Sequence, residues 1–324
     1  MKGRVFMAIK NIQIKNFTVF SNLDIDFCKG INLLIGKNGV GKTHLLKSLY
    51  YTPSMRLADS DGKILLTSDN LVLITKSNAS SVFGVDDEYY ERNFKEAEQS
   101  VNFDVSKRPP IIFIPAKEML THAKGLLAMK NKYGENMPFD STLLDIIEKA
   151  QAWKVKETPE IAKKIAPVLE KIMDGVVEAR DDSSFWMVKT SGEKIPFSME
   201  AEGLKYLGLI WQLIMNESIT KGSIILWDEP EGSLNPEDVD VLAEVILELQ
   251  RHGVQIIAAT HSYLLIKYLS IKRQETDEIA FFNMYKTENG TKCEREEDYD
   301  LLENNSIVNG NIKLLEAESL GGAF

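Results

Sequence analysis

The chain has 324 residues, 44% of them hydrophobic and 27% charged, with a formal net charge of -10. That composition fits one or two ordinary globular domains and excludes a disordered chain, while the acidic balance argues against non-specific coating of nucleic acid but leaves room for a local basic groove. Two cysteines, Cys28 and Cys293, provide neither a disulfide framework nor metal-site spacing, which suits a reducing compartment.

Residues 1–7 are basic but lack the apolar core and cleavage site of a secretory signal. The longest apolar stretch, 206–215, is about half of what a membrane span needs and contains Gln212, so it reads as a buried helix. A cytoplasmic protein without a membrane partner is expected.

Three short strands are expected before residue 36. Residues 9–14 and 23–27 alternate apolar and polar positions, as half-exposed antiparallel strands do, whereas 31–35 is continuously apolar and belongs in a buried parallel sheet. Between the first two, Phe17 and Phe20 are candidates either for the core or for stacking on a base.

Gly36-Lys37-Asn38-Gly39-Val40-Gly41-Lys42-Thr43 follows the third strand and precedes a helical pattern beginning at His44. Gly, four residues, then Gly-Lys-Thr between strand and helix is the phosphate-binding loop pattern. Its glycines let backbone N–H groups curl around phosphates, and the following helix presents its positive end. Lys42 is expected on the outer phosphates and Thr43 on Mg²⁺. Residues 36–43 with the adjoining His44 are the expected nucleotide contacts, although His44, like His122 and His252, has no further context of its own.

Residues 51–107 are mixed, with possible strands at 63–67 and 70–75 and a weak helical pattern over 86–98. An apolar strand at 111–114 ends in Pro115, and Lys117 and Glu118 just beyond it are candidates for a phosphate or for the water shell of a metal, or for a plain surface turn. From 119 to 195 the pattern is helical and lysine-rich. Ile161, Ile165, Val168, Leu169, Ile172 and Met173 mark one helical face, with Pro159 at its start and Pro167 expected to kink it. Lys154, Lys156, Lys163, Lys164 and Lys171 would suit nucleic acid or a partner, or, with glutamates interspersed, a solvated face. A hairpin is expected through 175–180 and 185–190.

Residues 223–227 form an apolar run ending in Asp228-Glu229. Two acids at a strand end are what Mg-nucleotide hydrolysis needs: Asp228 for the metal shell and Glu229 to take a proton from water. Another buried strand, 254–259, delivers His261 at its carboxyl end, where it can donate to the γ-phosphate or position water. A further strand over 279–285 precedes an acidic, then helical, tail without a nuclease-like metal cluster.

This order of motifs resembles ATP-binding-cassette (ABC) ATPases of the branch containing the chromosome-maintenance (SMC), RecF and overcoming-lysogenization-defect proteins, over nearly the whole chain. The resemblance implies an α/β fold with a mostly parallel central sheet, an N-terminal antiparallel β lobe and a helical insertion near 119–195, all in one ATPase domain. It implies that residues 36–43 are the Walker A loop, 224–229 Walker B with Glu229 catalytic beside Lys42, 231–236 the D-loop, and His261 the switch histidine. Ser233 would face a partner subunit. The cassette signature is best matched by Ala201-Glu202-Gly203, which lacks the transporter serine and one glycine. The implied protein is a homodimer, or a higher even-numbered oligomer, sandwiching Mg-ATP and switching a separately encoded effector, in the manner of bacterial antiphage ATPases. Alternatives are a DNA-binding repair or chromosome-maintenance ATPase and, with its signature missing here, a transporter ATPase.

Overall fold

The computed structural model describes residues 8–54, 71–73, 83, 87–94, 96–103, 109–133, 140–153, 155, 157–303 and 305–319. The two alternating segments form β1 (Ile9–Phe17) and β2 (Phe20–Asp26), paired antiparallel with Ile12 opposite Ile25. β3 (Ile31–Ile35) is buried at every position and leads through the glycine loop into α1 (Lys42–Ser54). The strand expected at 63–67 lies outside the described residues, while that at 70–75 corresponds to β4 (Leu71–Leu73). The weak helical pattern over 86–98 is corrected: helix α2 (Asp87–Asn93) stops early, and Glu98 opens β5 (Glu98–Phe103), which pairs antiparallel with β1. The ladder explains the switch, since it buries Val101 opposite Ile12. The N-terminal lobe is therefore an antiparallel sheet ordered β2-β1-β5-β4.

β6 (Ile111–Ile114) returns to the centre of the molecule. Three helices follow: α3 (Ala123–Tyr133), α4 (Ser141–Gln151) and α5 (Ala162–Met173). Asp140 caps α4 by accepting from the Thr142 amide at 2.8 Å and pairs with Lys47 of α1. In α5, Ile165, Leu169 and Met173 are buried, Val168 and Ile172 are half-buried, and Pro167 is exposed inside a helix that continues past it. Lys163 pairs with Glu160 and Lys164 lies 3.5 Å from Glu248, as on a solvated face; Lys154 and Lys156 lie outside the described residues. The expected hairpin is β7 (Gly175–Ala179) and β8 (Phe185–Lys189), extended by β9 (Lys194–Pro196) into a three-stranded antiparallel sheet, so the 119–195 segment is helical only as far as Met173.

The apolar helix is α6 (Glu202–Met215), buried from Lys205 to Ile214. The Gln212 side-chain amide donates to the Ala150 carbonyl at 2.9 Å, and Asn216 donates to Lys149 at 2.8 Å, so together they satisfy the end of α4. Then come β10 (Ile224–Asp228), α7 (Val239–Arg251), β11 (Gln255–Ala259), α8 (Tyr263–Lys272), β12 (Ile279–Thr287), β13 (Gly290–Glu296) and α9 (Ser306–Ser319).

The central sheet runs β13-β12-β3-β11-β10-β6, parallel throughout except for β13. Both faces are covered, which is why its strands read as unbroken apolar runs. Leu33, Ile225, Trp227, Ile256, Ala258 and Phe281 point into a core shared with α3 to α8. Their neighbours Leu34, Leu226, Ile257, Ala259 and Phe282 point the other way, against α1 and the antiparallel lobe. Since β3, β11 and β10 are adjacent and parallel, with Leu34 and Asp228 both level with Ala259, the segments leaving them emerge along one edge. Among the described residues no helix is long and apolar enough to cross a membrane.

Candidate functional site

That shared edge holds a groove of about 210 Å³ lined by Val19, Asn38, Gly39, Gly41, Lys42, Thr43, His44, Asp228, Glu229 and His261. Residues from three distant stretches of sequence meet here because their strands are neighbours. The loop needs its glycines. At Gly41 φ is +98°, and a Cβ would stand 2.5 Å from the ring of Phe20 and 2.6 Å from Val19. The β1–β2 turn is thus pressed against the phosphate loop.

Lys42 is buried, its ammonium donating to the carbonyls of Gly36 at 2.7 Å and Lys37 at 3.2 Å. Burial lowers its pKa to about 8, against the opposing charges of Asp228, Glu229 and Glu231. The Thr43 hydroxyl donates to Asp228 at 2.9 Å. Burial raises the Asp228 pKa, and the Thr43 bond partly opposes it. Among the described residues no cluster of three or more His, Cys, Asp or Glu side chains is poised for a metal. Mg²⁺ needs none, because it is held by one or two protein oxygens and completes its octahedron with phosphates and water, and the Thr43 and Asp228 oxygens are hard donors of that kind.

Glu229 and His261 face each other with Oε1 and Nε2 3.9 Å apart, their side chains 46% and 35% exposed, so both reach groove solvent. Glu229 has φ +49°, a left-handed conformation uncommon outside glycine. It is held there by its own N–H donating to Ala259 and by its carbonyl accepting from Gly232. Burial and the Lys42 charge lower the His261 pKa, and Glu229 pulls it back up. His44 also lines the groove, its pKa lowered by burial and by Lys47. Val40 is core.

Ala201, Glu202, Gly203 and Ser233 do not line this groove. Gly203 and Ser233 meet elsewhere: a Cβ on Gly203 would lie 2.8 Å from the Ser233 carbonyl oxygen, so the start of α6 packs against the loop that follows β10. Glu202 pairs with Lys205. Glu118 is occupied as a cap, accepting from the Leu120 and Thr121 amides and the Thr121 hydroxyl, and Lys117 is exposed; neither lines the groove. Phe17 and Phe20 are fully buried, so the core reading holds for both.

Several residues around the site have no motif to announce them. Val19 is the residue of the β1–β2 turn that reaches the groove. Lys286 brings its ammonium to 3.5 Å from where a Gly39 Cβ would be. The Tyr206 hydroxyl donates to Pro115 at 3.0 Å and accepts from the Trp227 indole at 2.9 Å, bracing the strand that carries Asp228. Glu231 accepts from Thr260, His261 and Ser262.

Two family models match the chain. One, described as "AAA domain, putative AbiEii toxin, Type IV TA system", matches residues 120–267, and one described as "AAA domain" matches 11–166. The DNA replication and repair protein RecF of Streptococcus uberis is 37% identical over 78 residues, 23% of this chain and 21% of that protein. RecF of Clostridium kluyveri is 33% identical over 108 residues, 31% of this chain and 28% of its own length. The chain thus matches less than a third of either relative. The SMC head domain from Thermotoga maritima superimposes with a TM-score of 0.44 at 13% identity, covering 90% of this chain and 99% of that one. An Smc head bound to the C-winged helix domain of ScpA gives 0.48 at 13%, covering 90% and 98%. With the phosphate loop, Asp228-Glu229 and His261 gathered on one edge of a mostly parallel sheet, the chain has a P-loop α/β fold and is similar to AAA domains over 11–166 and 120–267 and to RecF over less than a third of its length.

Proposed function

We propose that the chain binds and hydrolyses Mg-ATP as a head-to-tail homodimer, or a higher even-numbered oligomer, and thereby switches a separately encoded partner in bacterial antiphage defence. The observation that carries the hydrolytic part is the convergence of Lys42, Thr43 bonded to Asp228, and Glu229 facing His261 at 3.9 Å. Lys42 releases its loop carbonyls to neutralise phosphate charge, and Thr43 and Asp228 hold Mg²⁺, which supplies charge neutralisation at the phosphates when bound. Glu229 takes the proton of the attacking water. His261, neutral at pH 7, donates from its ring toward the γ-phosphate.

Dimerisation is supported by the separation within one chain: Ala201, Glu202, Gly203 and Ser233 form a contiguous surface outside the groove, available to complete a second copy's site. A separately encoded partner is supported by the description of the 120–267 family model, which refers to a TA system, a two-component arrangement. The defence role is supported by the altered Ala201-Glu202-Gly203 signature, which resembles that of the overcoming-lysogenization-defect branch.

ATP turnover by wild type and Glu229→Gln tests this directly. Glu229→Gln is expected to lose about 100-fold or more in kcat, as general-base removal does, and to accumulate an ATP-bound dimer on size exclusion. A wild type that neither binds nor hydrolyses ATP ends the enzymatic reading, and a monomeric Glu229→Gln with ATP ends the sandwich. A second reading, a DNA-dependent repair ATPase, is favoured by the RecF matches. Strong stimulation of turnover by duplex DNA would select it.

A further inference from the structure

We infer that Glu231 is a positioning residue for hydrolysis: its carboxylate clasps the turn that carries His261 and so fixes that histidine relative to Glu229. The inference rests on the ATP hydrolysis proposed above. Oε1 of Glu231 accepts from the Thr260 hydroxyl at 2.6 Å and from the backbone N–H groups of His261 and Ser262 at 3.0 Å each. Thr260 in turn accepts from Ser262 at 3.0 Å. One oxygen therefore binds three consecutive residues between β11 and α8, while its own backbone stands two residues beyond Glu229 at the end of β10. The two strand-end loops are locked to each other by that single side chain.

The lock matters because the two reacting side chains do not fix each other. At 3.9 Å, Nε2 of His261 and Oε1 of Glu229 are beyond hydrogen-bond range, so their separation is set by the backbones beneath them. A carboxylate is also an expensive way to fill the space. Burial pushes the Glu231 pKa up, and its second oxygen, Oε2, is buried without a hydrogen-bond partner. An apolar side chain would pack there without that cost, so what the carboxylate contributes is its three directed bonds. The same loop touches the start of α6 through the Ser233 carbonyl, which links the clasp to the surface proposed to meet a second copy.

The test compares wild type, Glu231→Ala and Glu231→Gln in steady-state ATP hydrolysis, with hydrogen exchange of the 260–265 amides as a readout that needs no turnover. Glu231→Ala is expected to lose about 100-fold in kcat, the scale of a small misplacement of a reacting group, with KM for ATP within about twofold. Its His261 amide, which loses its acceptor, should exchange at least about tenfold faster, while the Ser262 amide, which keeps the Thr260 hydroxyl as an acceptor, should be accelerated less. Glu231→Gln keeps an acceptor oxygen and should stay within about tenfold of wild-type kcat. Wild-type kcat in Glu231→Ala overturns the inference, as does a loss expressed in KM alone or one that Glu231→Gln fails to rescue. If wild type shows no hydrolysis, the ATPase reading falls instead, and the exchange experiment decides the clasp by itself: unchanged exchange in Glu231→Ala overturns it. Should Glu231→Ala not fold, Thr260→Val removes the shortest bond of the clasp, together with the bond that the Thr260 hydroxyl accepts from Ser262, and leaves Glu231 its two amide donors. It is expected to lower kcat about tenfold at constant KM, and wild-type kcat there overturns the inference.

Discussion

At His261, burial and the nearby Lys42 ammonium hold the imidazole pKa below its usual 6.5, and the Glu229 carboxylate only partly opposes them. The sign of the consequence is fixed. Above 6.5 the ring is neutral whether the chain is folded or not; on acidification the unfolded chain takes up the proton first, so His261 withdraws stability as pH falls through 6.5 toward its folded value. A ring charged beside Lys42 would also be displaced, so single-turnover hydrolysis should hold through pH 6.5 and fall only at lower pH, as the folded His261 takes up its proton, with the acid limb moved toward the carboxylate range in His261→Gln. An unshifted limb in that variant would assign it to another group. His261 itself was legible in the sequence because it ends an apolar strand, as were Lys42, Thr43, Asp228 and Glu229. Glu231 was legible only as a residue of the loop after Glu229, since its three donors lie about thirty positions away and no spacing rule connects them. The same holds for Val19, which reaches the groove from a hairpin, and for Lys286, which approaches Gly39 of the phosphate loop from another.

Among the elements, α6 depends on the loop after β10. Placing a methyl group on Gly203 would put it 2.8 Å from the Ser233 carbonyl, a backbone atom that cannot rotate away. Gly203→Ala is therefore expected to destabilise by about 1–3 kcal/mol in urea unfolding, the cost of overpacking outweighing the small helix-propensity gain in a first turn. Gly125 in α3 is the internal contrast: a Cβ there meets nothing within 4 Å, so Gly125→Ala should stabilise by about 0.5–1 kcal/mol. Equal shifts in the two variants would remove the steric account. Element type was well marked where burial is one-sided or complete, as in β1, β3, β10 and α6. It failed at Glu98–Phe103, where the short segment carries little periodicity and its strand character comes from pairing with β1, nearly ninety positions earlier. The 175–196 meander shows the same dependence at β9, a strand of three residues defined by its partner.

For the molecule as a whole, the antiparallel lobe must stay registered on the central sheet, because Val19 and Phe20 at its tip form the wall of the phosphate loop. Apolar contact supplies most of the adhesion between the two but little direction. Direction comes from Gln255, the first residue of β11, which is 1% exposed. Its side-chain carbonyl accepts from the Ile9 amide at 2.8 Å, and its amide group donates to the carbonyls of Ile9 at 2.9 Å and Cys28 at 2.8 Å. One side chain thus pins the first residue of β1 to the base of the central sheet, at the end of β11 opposite the groove. Cys28 retains Asn32 as a second donor, so the groups at risk on substitution are those of Ile9. Gln255→Leu keeps the volume and removes the bonds; leaving buried backbone groups unpaired is expected to cost about 2–4 kcal/mol, read as a lower urea midpoint. The form of the transition carries the second half of the test. If Gln255 couples the lobe to the sheet, unfolding of Gln255→Leu should split, with β1, β2 and the phosphate loop losing amide protection before β10 and β11 do. A single transition shifted by less than about 0.5 kcal/mol, the size of an ordinary surface substitution, would show that apolar packing alone holds the lobe in place.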